Sequence, residues 1–497
     1  MSNSLLNRKK AMKNLIFATV LMVLSGDAHA ATSDSPGSGI KHVLLISIDG
    51  AHALDIQNFI RTNPDSAIAQ LQRRGVTFTN ARQPMLGDST PGLLSIITGG
   101  SPATTGLIYS PFYARDLSPP GSDCSTRGTV YYIDEKWVKE TSREDSGGGI
   151  DPAKLARNPA RGCTPVFPHH LLRVNTVFEV ARTAGYRTAW VDQHEMYNDL
   201  AKGPSGEGLD ESVALERKGV PQTAEGFMGQ DQRRVDIVSR QIRGRDAFGK
   251  SVGTPTVFGM GFISFGAIQK SAGYADAEGA LSPKLAETMN FVDRSLMRLT
   301  TELKESRIFD STMIIITSKH GQSPVDVRQR RVIDRKLVRD AVNSVSPGLL
   351  AHASLDSIGL IYLHDSSRTT AVAQALRDRA AELGILRVYS GSSLELLLPA
   401  NDPRSPDLVI QPTLGVFYTE GIDNAAAKAL LAEHGGMLDE DVQVPLIVSA
   451  PGQQGQVNRS AVLTSQIAPT ILRALGVDPA KLDAVRLEGT ATLPNFR

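Results

Sequence analysis

The sequence predicts an α/β fold, a sandwich of helices around a mostly parallel sheet. Three observations carry this expectation. Short runs such as HVLLISI (42–48) and MIIIT (313–317) are apolar at nearly every position, the pattern of strands buried on both faces. Longer runs between them repeat their apolar residues with a helical period. Hydrophobic residues make up 41% of the 497 positions against 21% charged, enough for a large core and too little charge for disorder.

The elements follow in chain order. Residues 1–30 are set aside as an export signal. Arg8, Lys9, Lys10 and Lys13 precede an apolar run over 14–24, and Ala28-His29-Ala30 forms a small-residue cleavage site. The run is short for a membrane span, and no later segment is long and apolar enough for one. A cleaved chain starting near Ala31, periplasmic or secreted and without a stable membrane anchor, is therefore expected. In that setting Cys124 and Cys163, the only two cysteines, could pair across a Gly/Ser/Pro-rich stretch.

After the first strand (42–48), helices are expected at 54–61 and 66–74, a strand at 75–80, and a short apolar helix over 91–98 that ends at Gly99-Gly100. A helix over 177–184 and a strand over 187–191 come next. The clearest helix spans 282–305. Its Leu285, Met289, Val292, Leu296, Leu299 and Leu303 fall on one face, with Ser282 as cap and Pro283 in the first turn. Strands at 313–317 and 444–448 and a helix at 465–475 complete the rhythm. Residues 101–170 and 328–419 interrupt it and are read as insertions that cap the sheet within one catalytic domain, 31–497. The second has its own strand–helix–strand pattern over 358–364, 370–383 and 386–389.

Lys and Arg total 53 against 52 for Asp and Glu, so no electrostatic footprint for nucleic acid is evident. Ligands of open α/β sheets bind at the carboxyl ends of strands, and the suspicious residues gather there. Asp49 closes the first strand in Ile48-Asp49-Gly50. Asp88 and Ser89 stand in Gly87-Asp88-Ser89-Thr90-Pro91-Gly92, just before a helix. His320 follows MIIIT in Ser318-Lys319-His320-Gly321, and His434 lies in Glu433-His434-Gly435-Gly436 before the last strand. Taken singly, Asp49 is a turn residue and Ser89 a helix cap. Taken together, an Asp and two His suit a divalent ion, and a hydroxyl at a helix start suits a phosphate. His52, Asp192 and His194 are further candidates for the substrate side, and Asp439, Glu440 and Asp441 form an acidic turn.

In this order the motifs resemble the alkaline phosphatase superfamily, and within it the type I phosphodiesterase/nucleotide pyrophosphatase family. Thr98-Gly99 and Gln466-Ile467-Ala468-Pro469-Thr470 add to the likeness. The resemblance implies an alkaline-phosphatase-like three-layer sandwich with cap insertions. It implies hydrolysis of a small phosphoester or nucleotide by a Ser89 nucleophile. It also implies divalent metal, zinc above others, with Asp49, His320 and His434 as ligands, and Asp88 beside Ser89 is a further candidate ligand. The chain departs from the family at Lys319, where an Asp is usual, and over 261–270, which lacks the usual Asp and His. A second ion beside Lys319 would meet a repulsion on the order of several kcal/mol. One ion, or the Lys319 ammonium in place of an ion, is therefore expected, with Lys319 able to stabilise phosphoryl charge. Two other classes stay open. One is a binding protein that has lost its metals. The other is a sulfatase, against which Leu93 stands where that motif needs Arg.

Overall fold

Strand β1 (His42–Ile48) shows why the chain layers as it does. Val43 and Leu45 enter one hydrophobic core, while Leu44, Ile46 and Ile48 enter another, so the strand is buried on both faces with a period of two. The computed structural model describes residues 39–133, 137–139, 149–217, 219–395, 397–399, 402–422 and 424–496, and these fall in one unit, Gly37–Arg497. The export signal lies outside the described residues.

The strands β1, β2 (Gly75–Phe78), β3 (Thr188–Asp192), β4 (Glu211–Ala214), β5 (Val257–Phe262), β6 (Thr312–Thr317), β7 (Leu446–Ser449) and β8 (Gln456–Asn458) form one sheet. Their order is β8-β2-β7-β6-β1-β5-β3-β4. Only β7, between β6 and β2, runs against the rest. The middle of the sheet is tight. A side-chain carbon on Gly259 of β5 would sit 1.9 Å from the Leu45 carbonyl oxygen of β1, so glycine is required there.

Helices cover both faces. One core collects α3 (Ser89–Thr98), α4 (Val177–Thr183), α5 (Glu195–Ala201) and α9 (Ile467–Ala474). The other collects α1 (Ala53–Thr62), α2 (Ala67–Arg73), α6 (Ala224–Ile242), α7 (Ser264–Ala272) and α8 (Pro283–Glu305). The predicted stripe of α8 is buried in that core, and Ser282 accepts from the Leu285 N–H. This is an alkaline-phosphatase-like three-layer α/β sandwich.

The second insertion folds as a four-stranded sheet in the order Leu350–Leu355, Gly359–Leu363, Leu408–Pro412, Ile385–Ser390. One face packs with Val338, Val372 and Leu376 into a third core. The other sends Leu360, Tyr362 and Val409 into the core shared with α3. In the first insertion, a disulfide joins Cys124 and Cys163. No helix among the described residues is long and apolar enough to cross a membrane.

Candidate active site

The helix cap differs from the sequence expectation in a way that matters for chemistry. Asp88, not Ser89, is the N-cap of α3, and its carboxylate accepts from the Thr90 N–H at 3.0 Å. Ser89 is thereby the first helical residue, and its hydroxyl is free for another partner. That partner is His320, whose Nε2 lies 2.9 Å from the Ser89 Oγ. The His320 Nδ1 lies 2.9 Å from the Gly321 carbonyl oxygen, which can only accept, so Nδ1 carries the proton. In the neutral ring Nε2 is therefore the acceptor, and Ser89 donates to it. Burial lowers the His320 pKa, outweighing the nearby Asp49 carboxylate.

The loops after β1 and β6 bring the remaining groups in. Lys319 is 1% exposed, and its Nζ lies 3.2 Å from Asp49 Oδ2 and 3.9 Å from Asp192 Oδ1. The ammonium also sits 4.8 Å from the centre of the Tyr197 ring. Burial raises the Asp49 carboxyl, but the charges of Lys319 and His320 outweigh it and hold the group below the ordinary carboxylate range. Burial likewise opposes the Lys319 charge, and Asp192 and Asp49 outweigh it, raising that pKa. Gly92 lets α3 lie against this loop. A side-chain carbon there would stand 2.0 Å from the Lys319 carbonyl oxygen.

His434 completes the cluster. Its ring centre is 4.1 Å from that of His320, and its Nδ1 is 4.0 Å from Asp88 Oδ1. That Nδ1 is buried and has no hydrogen-bond partner among the described residues. Burial, followed by the charges of His320, Lys270 and Lys319, lowers the His434 pKa well below its ordinary value. Burial also pushes Asp88 up to about 7, against the bond from Thr90. These groups open onto a cavity of about 400 Å³, walled also by Tyr197, Arg217, Phe227 and Lys270.

The structure thus brings together Asp49, Asp88, Ser89, Lys319, His320 and His434. His194 lines the same cavity, with Nδ1 held by Glu216 at 2.7 Å. Two expected substrate residues are used elsewhere. His52 is buried with its Nδ1 3.0 Å from Asp55 and its Nε2 2.8 Å from the Glu440 carbonyl, so it ties α1 to the acidic turn. Asp192 accepts from the Trp190 ring N–H and the Gln193 N–H and faces Lys319, so it anchors the lysine. Tyr197, Arg217 and Lys270 escaped the sequence reading. Tyr197 alone had a local signal, three residues after His194 on a helix.

The donors do not fit a two-ion site. Asp49 is ion-paired with Lys319, and His320 holds Ser89. At the start of α7, where the family's Asp and His are missing, the Ile263 and Ser264 N–H groups are capped instead by Asp231, itself paired with Arg234 at 2.6 Å. Among the described residues no group of three or more His, Cys, Asp or Glu gathers to hold an ion. What remains is the pair Asp88 and His434, whose orphaned Nδ1 suits one ion.

A model of the type I phosphodiesterase/nucleotide pyrophosphatase family matches residues 43–437. The chain belongs to that family. It is accordingly a phosphoester hydrolase of the alkaline phosphatase superfamily, whose members depend on divalent metal ions. Membership weighs against the binding-protein and sulfatase readings. Solved structures of other proteins share its fold. Murine ectonucleotide pyrophosphatase/phosphodiesterase 5 has a TM-score of 0.57 and 14% identity over 88% of this chain and 96% of its own. An inactive form of that murine protein was solved in complex with AMP. A substituted alkaline phosphatase PafA has a TM-score of 0.60 and 13% identity over 88% and 96%. Among curated proteins none matches this phosphodiesterase-family chain in sequence.

Proposed function

We propose that the chain is an exported phosphodiesterase or nucleotide pyrophosphatase that works through Ser89. The observation carrying this reading is the 2.9 Å contact between the Ser89 hydroxyl and His320 Nε2, with the ring's other nitrogen 2.9 Å from the Gly321 carbonyl oxygen. Ser89 Oγ gives its proton to His320 Nε2 and attacks phosphorus. The bond from phosphorus to the leaving oxygen breaks, and His320 returns the proton to that oxygen. The group on Ser89 keeps the ester arm that did not leave; water then gives a proton to His320 and attacks its phosphorus, the bond from phosphorus to Oγ breaks, Ser89 recovers its proton, and the phosphate monoester departs. The N-terminus of α3 favours the negative charge. Lys319 keeps Asp49 ionised and in place, and it adds positive potential beneath the reacting oxygens. One divalent ion, zinc by its liking for imidazole and carboxylate, would be held by Asp88 and His434 and, when bound, would draw charge from a phosphoryl oxygen.

A nucleotide substrate is the choice favoured by the family's name and by the AMP complex of the murine neighbour. A domain running from 31 to 497, with 101–170 and 328–419 as its specificity insertions, belongs to the same reading. The test is turnover of a nitrophenyl phosphodiester by the mature protein, with metal content measured alongside and the mature N-terminus mapped near Ala31. Acid quench followed by mass spectrometry should trap the phosphoryl group, still carrying its retained ester arm, on the peptide holding Ser89. Turnover with the label elsewhere, or no turnover of any phosphodiester or pyrophosphate, refutes the proposal.

A further inference from the structure

We propose that Arg217 holds a second anionic group of the substrate, beyond the phosphoryl group under attack, so that the enzyme favours phosphoanhydrides and phosphate-bearing diesters. This rests on the proposed phosphodiesterase reading of the same cavity. Among the described residues three cations stand at the site, and two are already neutralised. Lys319 lies between Asp49 and Asp192. Lys270 is paired with Glu433. Arg217 lines the cavity with no carboxylate partner among the described residues, and its Nε is shielded from solvent without a hydrogen-bond acceptor. The side chain as a whole is half-buried, so the outer N–H groups of the guanidinium remain open to a ligand oxygen.

The residue is also held in place. It follows β4 by way of Leu215 and Glu216, and both are fixed. The Leu215 carbonyl accepts from Arg234 at 3.0 Å. The Glu216 carboxylate accepts from the Glu195 N–H at 2.7 Å and holds His194 at 2.7 Å. Glu216 is thus committed to the opposite side and leaves its neighbour's charge uncompensated. The Arg217 carbonyl accepts from the Val220 N–H at 3.0 Å, and the guanidinium stands 5.4 Å from the centre of the Phe227 ring. Arg217 and His434 line the same cavity, which puts that charge on the side of the reacting centre. A planar guanidinium forms two parallel hydrogen bonds to one phosphate. An uncharged ester arm gives it nothing to bind.

Two measurements on the full mature protein test this. Calorimetry with inorganic pyrophosphate should show binding that weakens roughly 10- to 100-fold in Arg217→Gln, with partial recovery in Arg217→Lys. Steady-state kinetics should compare methyl nitrophenyl phosphate with a nitrophenyl diester whose other arm ends in phosphate. KM should rise in Arg217→Gln for the second substrate only, with kcat little changed. Unchanged pyrophosphate binding, or an equal loss on both diesters, overturns the proposal. If neither protein turns over either diester while the variant still loses pyrophosphate, the anion site stands and the hydrolytic reading is what fails.

Discussion

Removing the ammonium of Lys319 is the sharpest perturbation available, because that charge is almost fully buried between two carboxylates. At an effective dielectric near 20, a unit charge pair at 3.2 Å interacts by about 5 kcal/mol and one at 3.9 Å by about 4 kcal/mol. Desolvation of the three groups offsets much of this. What survives is the penalty of leaving Asp49 and Asp192 facing each other unpaired, about 3–5 kcal/mol for a broken buried pair. Lys319→Met should therefore lower unfolding free energy by that amount in urea denaturation at pH 7. The triple variant Lys319→Met, Asp49→Asn, Asp192→Asn removes all three charges and should recover more than half of the loss. It also keeps the test usable if the single variant does not fold. A loss below about 1 kcal/mol, the range of a solvent-exposed pair, would refute a buried role for this lysine.

Other perturbations separate chemistry from stability. Ser89→Ala should cost only about 1 kcal/mol, because the cap belongs to Asp88, and should lower kcat on a phosphodiester at least about a thousandfold; near-normal turnover would exclude Ser89 as nucleophile. Lys319→Asp adds a carboxylate beside Asp49, Asp192 and His320 and should tighten zinc binding at least about tenfold by calorimetry; unchanged affinity would place Lys319 outside the site. Burial raises the Asp441 carboxyl to about 7 against the hydrogen bond from Ser323, with Glu440 adding to the rise. The folded state therefore binds this proton more tightly than the unfolded chain. The resulting stability is complete below about pH 4 and is lost as pH rises through about 7, by up to about 4 kcal/mol. Asp441→Asn keeps an acceptor for Ser323 and should flatten this slope in urea titrations at pH 5 and pH 8; equal slopes would contradict the assignment.

The legible parts of the sequence were those written in a local period. The stripe of α8 and the continuous apolar runs of β1 and β6 need no distant partner to be recognised. The site residues Asp49, Ser89 and His320 were legible because each sits at a strand end or helix start, and His434, in a loop, because of its His-Gly-Gly run. Asp192 and His52 shared that placement, but they lie behind the reacting groups, and only the partners Lys319 and Glu440 reveal it. Arg217 follows a four-residue strand and carries no motif. Its meaning comes from what does not pair with it. Helix α6 was missed because Asp231 and Arg234 occupy buried positions and break its apolar stripe. They satisfy each other and the start of α7 instead.

The cap sheet sends alternate residues into two cores, and this bears on how firmly the insertion is held. Swinging the cap away would expose at least Ile358, Leu360 and Val409, each at most 1% accessible. At about 1.5–3 kcal/mol per side chain this costs roughly 5–9 kcal/mol, so fewer than about one molecule in a thousand would be open at any moment. The cap sheet is therefore a fixed part of the fold, and the cavity takes its insertion-borne walls from elsewhere, from Ser110, Pro111, Tyr132 and Ile133 of the first insertion.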